Sequence, residues 1–147
     1  MENSQKIHKL NRIRLAHPKQ LTQLANFLLT SGEDWVLLWI RSQNKKIFAI
    51  DITEHFGLTP GRVANIIKKL EERGFIERQQ YFGDLRKACI NLTESGFSHA
   101  ETLYKNMNGS HAQFINDLDE KDSTQVIQIL QKIITLMENG MQLGTLK

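Results

Sequence analysis

TPGRVANIIKKLEERG, from Thr59 to Gly74, reads as one helix with its own start and stop. Thr59 can cap it, because its hydroxyl accepts a backbone N–H of the first turn. Pro60 follows at the first helical position, where a missing N–H costs nothing. Gly74 closes it as a residue that tolerates the left-handed turn after a helix. Val63, Ile66, Ile67 and Leu70 recur at helical spacing and make an apolar stripe. Arg62, Asn65, Lys68 and Lys69 fall on the other side, with Gly61 at the tip. Such a helix packs by one face and offers the other to a polyanion groove.

Outward from this helix, Gly57 turns the chain, Leu58 plugs the turn, and a short helix from about Ala49 to Phe56 buries Ile52 and Phe56. Thr53, Gly57, Val63 and Ile66 have the spacing of a helix-turn-helix. The first helix needs a small residue where the second crosses it, and the turn needs a glycine at positive φ. On the far side, residues 75–79 alternate as a strand, residues 81–84 carry turn chemistry, and residues 87–92 alternate again, with Ala88, Ile90 and Leu92 on one face. A β-hairpin after a helix pair makes a winged helix-turn-helix.

The flanks read as helical. Residues 1–17 carry Ile7, Leu10 and Ile13 among Lys and Arg. His17-Pro18 interrupts them, because a residue before proline is pushed out of helical geometry. Residues 19–30 resume a helix. Ser31 can cap the next one, Glu33 to about Ser42, in which Trp35, Leu38 and Trp39 are spaced for burial. Ile47-Phe48 can form a very short strand. From Thr93 onward the chain is helical, with Gly109 a possible break, and Asp119 caps a last helix carrying Val126, Ile129, Leu130, Ile133, Ile134 and Met137. The expected fold is mainly α with a small β-hairpin wing. Residues 33–96 are expected to form one domain, flanked by helical regions at 1–32 and 97–147.

Composition narrows the function. The 147 residues carry a net charge of +3, unevenly spread. Residues 1–20 hold five Lys/Arg against one Glu, residues 59–87 seven against four acids, and residues 94–147 four against seven. A basic middle suits a polyanion partner. No apolar run approaches the roughly 20 residues of a membrane span. The N-terminus is polar and basic rather than signal-like, so a cytoplasmic protein is expected. Cys89, the single cysteine, excludes an internal disulfide and a Cys-rich zinc site. No phosphate loop and no nucleophile motif points to an enzyme.

Asp84-Leu85-Arg86 followed by Ile90-Asn91-Leu92-Thr93-Glu94-Ser95-Gly96 resembles the wing signature of the MarR family of bacterial transcriptional regulators. The run Glu71 to Ile76 is similar to that family's passage from recognition helix to wing. The resemblance implies a homodimer in which residues 1–32 and 97–147 form the helical dimerisation region, the first and last helices intertwining, and residues 33–96 the DNA-binding domain, whose recognition helices enter successive major grooves and whose wing tips reach the minor grooves. It further implies a ligand-responsive repressor.

On that footing Arg62, Asn65 and Lys69 are candidates for the major groove. Asn65, where many members carry a basic residue, can pair with adenine and Arg62 with guanine, each good pair giving about 1–3 kcal/mol of discrimination. Thr59, Pro60 and Gly61 approach phosphates at the helix N-terminus, and Lys68 is a phosphate contact. Arg86 is the minor-groove candidate, held by Asp84, with Lys87 beside it. Each of these residues has a plainer reading, as part of a solvated face or a brace of the hairpin. Phe82 and Leu85 are unusually apolar for a wing tip and are expected to pack on its stem. Phe27, Trp35 and Trp39 are core residues or line an effector pocket. Cys89 and the five histidines show no ligand spacing, and neither cofactor nor metal is expected. The partners are double-stranded DNA with a pseudo-palindromic operator, a second copy of the chain, and a small-molecule effector. Two rivals remain: a winged helix that binds protein instead of DNA, and a regulator that senses metal or oxidant.

Overall fold

A computed structural model describes residues 1–29 and 32–144. Among the described residues the order is α1 (Asn3–Ala16), α2 (Pro18–Leu28), α3 (Glu33–Ser42), α4 (Ala49–Phe56), α5 (Pro60–Glu72), β1 (Ile76–Tyr81), β2 (Asp84–Leu92), α6 (Glu94–Asp117) and α7 (Glu120–Glu138). The chain divides into two compact units, Met1–Ala100 and Glu101–Lys147. The expected cap at Ser31 lies outside the described residues.

In the first unit the core lies under α5. Val63, Ile66, Ile67 and Leu70 are all buried, together with Ile52 of α4, Ile76 of β1 and Ile90 of β2. Each such side chain taken from water contributes about 1.5–3 kcal/mol. Gly57 turns between α4 and α5 at φ 62°, as the helix-turn-helix spacing requires, and Gly74 leaves α5 at φ 75°.

Three burial expectations are corrected. In α3 the buried residues are Val36, Leu37 and Ile40, while Trp35, Leu38 and Trp39 are half-buried. Compact branched side chains fill the side facing the core, and the large indoles take the rim. There Trp39 stacks on His55 with ring centroids 4.6 Å apart and meets Phe56 edge-on at 5.8 Å. Phe56 accordingly stays half-buried. In β2, Ala88 is exposed whereas Cys89 is buried.

The wing is an antiparallel hairpin paired from Ile76↔Leu92 to Gln80↔Ala88. Beyond Gln80 the register shifts and Tyr81 pairs with Asp84 across a two-residue turn, so residues 85–87 form an irregular stretch of β2. Ile47 adds an isolated bridge to the sheet, its carbonyl accepting the Ile90 N–H at 2.8 Å.

Thr93 joins wing to α6. Its hydroxyl donates to the Gly74 carbonyl at 2.6 Å and accepts the Gly96 N–H at 2.9 Å, while its own N–H donates to the Phe75 carbonyl at 3.1 Å. Gly96 lies so close to this backbone that an added Cβ would sit 1.8 Å from the Phe75 oxygen. The Leu-Thr-x-x-Gly pattern is therefore a docking joint.

α6 runs unbroken through Gly109 over 24 residues. In the second unit Asp119 caps α7 as expected, accepting the Asp122 N–H at 2.7 Å. The stripe of α7 is exposed on this single chain, including Ile129, Leu130, Ile134 and Met137, and so are Ile7, Leu10 and Ile13 of α1.

Candidate nucleic-acid interface

The amphipathic pattern of α5 settles what it presents. Because its apolar stripe is consumed by the core, Gly61, Arg62, Asn65, Lys68 and Lys69 are all left exposed on the outer face. Thr59 caps the helix, its hydroxyl accepting the Arg62 N–H at 3.3 Å, and Pro60 occupies the first turn. The Val63 N–H bonds the Thr59 carbonyl and Pro60 has no N–H, which leaves the Gly61 N–H of that turn to an anion. No protein atom lies within 4 Å of where a Gly61 side chain would begin, so the tip is open.

The four polar side chains differ in their freedom. Arg62 and Asn65 stand exposed without a side-chain partner among the described residues. Lys68 lies 3.8 Å from Glu72, one turn on. The Lys69 ammonium lies 3.4 Å from the Glu33 carboxylate, which also takes Arg73 at 3.3 Å. Sequence patterning did not reveal this clamp, since Glu33 reads simply as a favourable acid in the first turn of α3. Exposed pairs of this kind contribute only about 0.2–1 kcal/mol, so a phosphate can compete for either cation.

The wing is tied to α5 by a second pair. Arg78 makes a two-pronged contact with Glu71, Nε to Oε1 at 3.2 Å and Nη2 to Oε2 at 2.7 Å. The hydrogen bonds to Glu71, then its charge, push the Arg78 guanidinium still further above its ordinary value against a small opposing desolvation. At the tip Asp84 Oδ1 accepts both the Arg86 backbone N–H at 3.0 Å and its Nε–H at 3.3 Å. The sequence anticipated that brace. It leaves Arg86 with a side chain 93% exposed. Lys87 Nζ sits 5.8 Å from the Phe48 ring centre. A shallow cleft lined by Ile50, Ala64, Ile67, Arg78, Arg86 and Lys87 joins wing to recognition helix. The cations of this cleft come from the wing, and α5 reaches it through Ala64 and Ile67.

Other candidates are dispersed. Trp39 belongs to the His55–Phe56 aromatic group, Trp35 borders a depression with Glu33 and Arg73, and Phe27 lies on α2. The Cys89 thiol is buried and directed at Asn91 Oδ1, 3.7 Å away. Among the described residues no three His, Cys, Asp or Glu side chains gather as a metal site, and no helix is long and apolar enough to cross a membrane.

A helix pair with a turn glycine, an outward basic helix and a braced hairpin define a winged helix-turn-helix protein of the DNA-binding, transcription-regulating class. Residues 29–88 match the MarR family, so this stretch is a MarR-family domain. It is 27% identical over 111 residues to an HTH-type transcriptional regulator of Bacillus cereus, an alignment covering 75% of this chain and 73% of that protein. To the HTH-type transcriptional regulator SarZ of Staphylococcus haemolyticus it is 27% identical over 115 residues, covering 78% and 71%. In fold it is similar to Staphylococcus aureus MepR in its DNA complex, with a TM-score of 0.65, 23% identity and coverage of 88% and 96%. The chain is a transcriptional regulator, and the family that its domain matches is one of regulators and not of enzymes.

Proposed function

We propose that the chain acts in the cytoplasm as a homodimeric repressor that recognises a pseudo-palindromic operator and releases it on binding a small molecule. The single observation that carries the DNA-binding part is the exposed Arg62–Asn65 face of α5 together with an exposed, Asp84-braced Arg86 on a wing whose cleft reaches α5 at Ala64 and Ile67. Arg62 and Asn65 read base edges in the major groove. Lys69 joins them once a phosphate or base displaces Glu33. Thr59, Pro60, Gly61 and Lys68 engage phosphates, and Asp84 holds Arg86 for the minor groove while Lys87 meets the backbone. Phosphate contacts supply position and most of the affinity, and base contacts the specificity. The MepR structure, with DNA bound to that protein, supports this use of the fold.

Residues 33–96 form the DNA-binding part, and residues 1–32 and 97–147 the dimerisation region. Support comes from the apolar side chains that α1 and α7 leave exposed on a single chain, since exposed apolar patches mark interaction sites. Phe27, Trp35 and Trp39 are the residues assigned to the effector. Half-site centres lie about 34–36 Å apart, one helical turn.

The test is selection of bound sequences from a random duplex pool, followed by a salt series on the winner. A palindromic winner with a steep salt slope supports the proposal. No enrichment, or a light-scattering mass equal to the 17.0 kDa chain, refutes it.

A further inference from the structure

The tip of the wing does not fold back on its stem as its apolar residues suggested. Phe82 is 89% exposed and Leu85 is 62% exposed. The reason is a neighbour. Tyr81 already fills the place beneath the turn, its ring so close to Gly83 that a Cβ there would lie 2.5 Å from Cε1. The ring is held from the stem side by Phe48, edge-on at 5.3 Å, and by Lys46 Nζ at 4.8 Å. With that slot taken, Phe82 is presented outward from a turn only two residues long.

The setting of Phe82 decides what it meets. Arg86 is braced by Asp84 close by in sequence, and Lys87 and Arg78 border the adjoining cleft. The register shift after Gln80 puts residues 85–87 in the irregular stretch of β2, and such irregularities re-aim side chains. An apolar ring at the turn of a hairpin that also carries Arg78, Arg86 and Lys87 suits a partner that offers both negative charge and flat apolar faces. A DNA groove offers both: phosphates at its edges and stacked bases within.

We propose that Phe82 is an apolar wedge that enters the minor groove beside Arg86 and partly unstacks one base step. Apolar side chains at such positions open base steps and kink the duplex. A pyrimidine–purine step yields most readily, so Phe82 also selects sequence at a position it reads through deformability. The inference rests on the DNA-binding proposal above.

The experiment uses full-length wild type and the Phe82→Ala, Phe82→Leu and Arg86→Ala variants. The probe is the duplex that wild type enriches from a random pool, carrying the fluorescent adenine analogue 2-aminopurine at successive outer positions. Wild type should raise the fluorescence at one step. Phe82→Ala should weaken binding about tenfold, abolish that rise and leave the salt slope unchanged, because stacking is not electrostatic. Phe82→Leu should keep most of both signals. Arg86→Ala should lower the slope by about one. If Phe82→Ala binds as wild type does with its fluorescence rise intact, the wedge is refuted while the regulator stands. If it binds DNA equally but lowers the light-scattering mass, the tip is a protein contact and the wedge is again refuted. If wild type enriches no duplex, both proposals fall.

Discussion

Replacing Gly96 by alanine tests the joint between wing and α6. The added Cβ would lie 1.8 Å from the Phe75 carbonyl oxygen against an ordinary 3.4–4 Å, so the two backbones must part by about 1.6 Å. That movement breaks the Thr93 N–H bond to Phe75, now 3.1 Å, and the Thr93 hydroxyl bond to Gly74, now 2.6 Å. Two lost hydrogen bonds cost about 0.5–1.5 kcal/mol each. The crowding itself costs about 1–3 kcal/mol. Against this, alanine is better than glycine in a helix by about 1 kcal/mol. The net expectation is a destabilisation of about 3 kcal/mol, or a melting temperature lower by roughly 6–12 °C for a chain of this size. The assay is urea unfolding followed by far-UV circular dichroism at fixed protein concentration, since the stability of the proposed dimer depends on it. Gly109→Ala is the paired control. It sits in the same helix with no atom within 4 Å of its would-be Cβ, and should stabilise by about 0.5–1 kcal/mol. A Gly96→Ala midpoint equal to or above wild type would refute the reasoning, for it would mean that Gly96 only weakens its helix.

Three further substitutions probe the interface. Arg86→Ala should weaken operator binding and lower the salt slope by about one, with helicity and light-scattering mass unchanged; unchanged affinity would remove Arg86 from the interface. Asn65→Ala should relax preference at one base position, by about 1–3 kcal/mol, in a binding-site selection; a uniform loss across sequences would make Asn65 a positioning residue. Glu33→Gln releases Lys69 and Arg73. Gel-shift affinity should rise and its salt dependence steepen, while stability changes by no more than about 1 kcal/mol because the pairs are exposed.

The sequence by itself determined the helix pair, the wing and the outward face of α5. Those signals are local. A cap at Thr59, a glycine at positive φ in Gly57, and apolar residues at period 3.6 act within a few residues of themselves, so they can be read along the chain. The Asp84–Arg86 brace was legible for the same reason, its members being two residues apart. Tertiary structure decided what depends on one element arriving beside another. Which side of α3 is buried, why Phe82 cannot fold under the turn, where Lys69 and Arg73 find Glu33, and why position 96 admits no side chain all depend on distances between elements distant in sequence. Hydrophobic patterning says that a residue is buried but not against what. Only the packed chain places Tyr81 under Gly83 and the Phe75 carbonyl against Gly96.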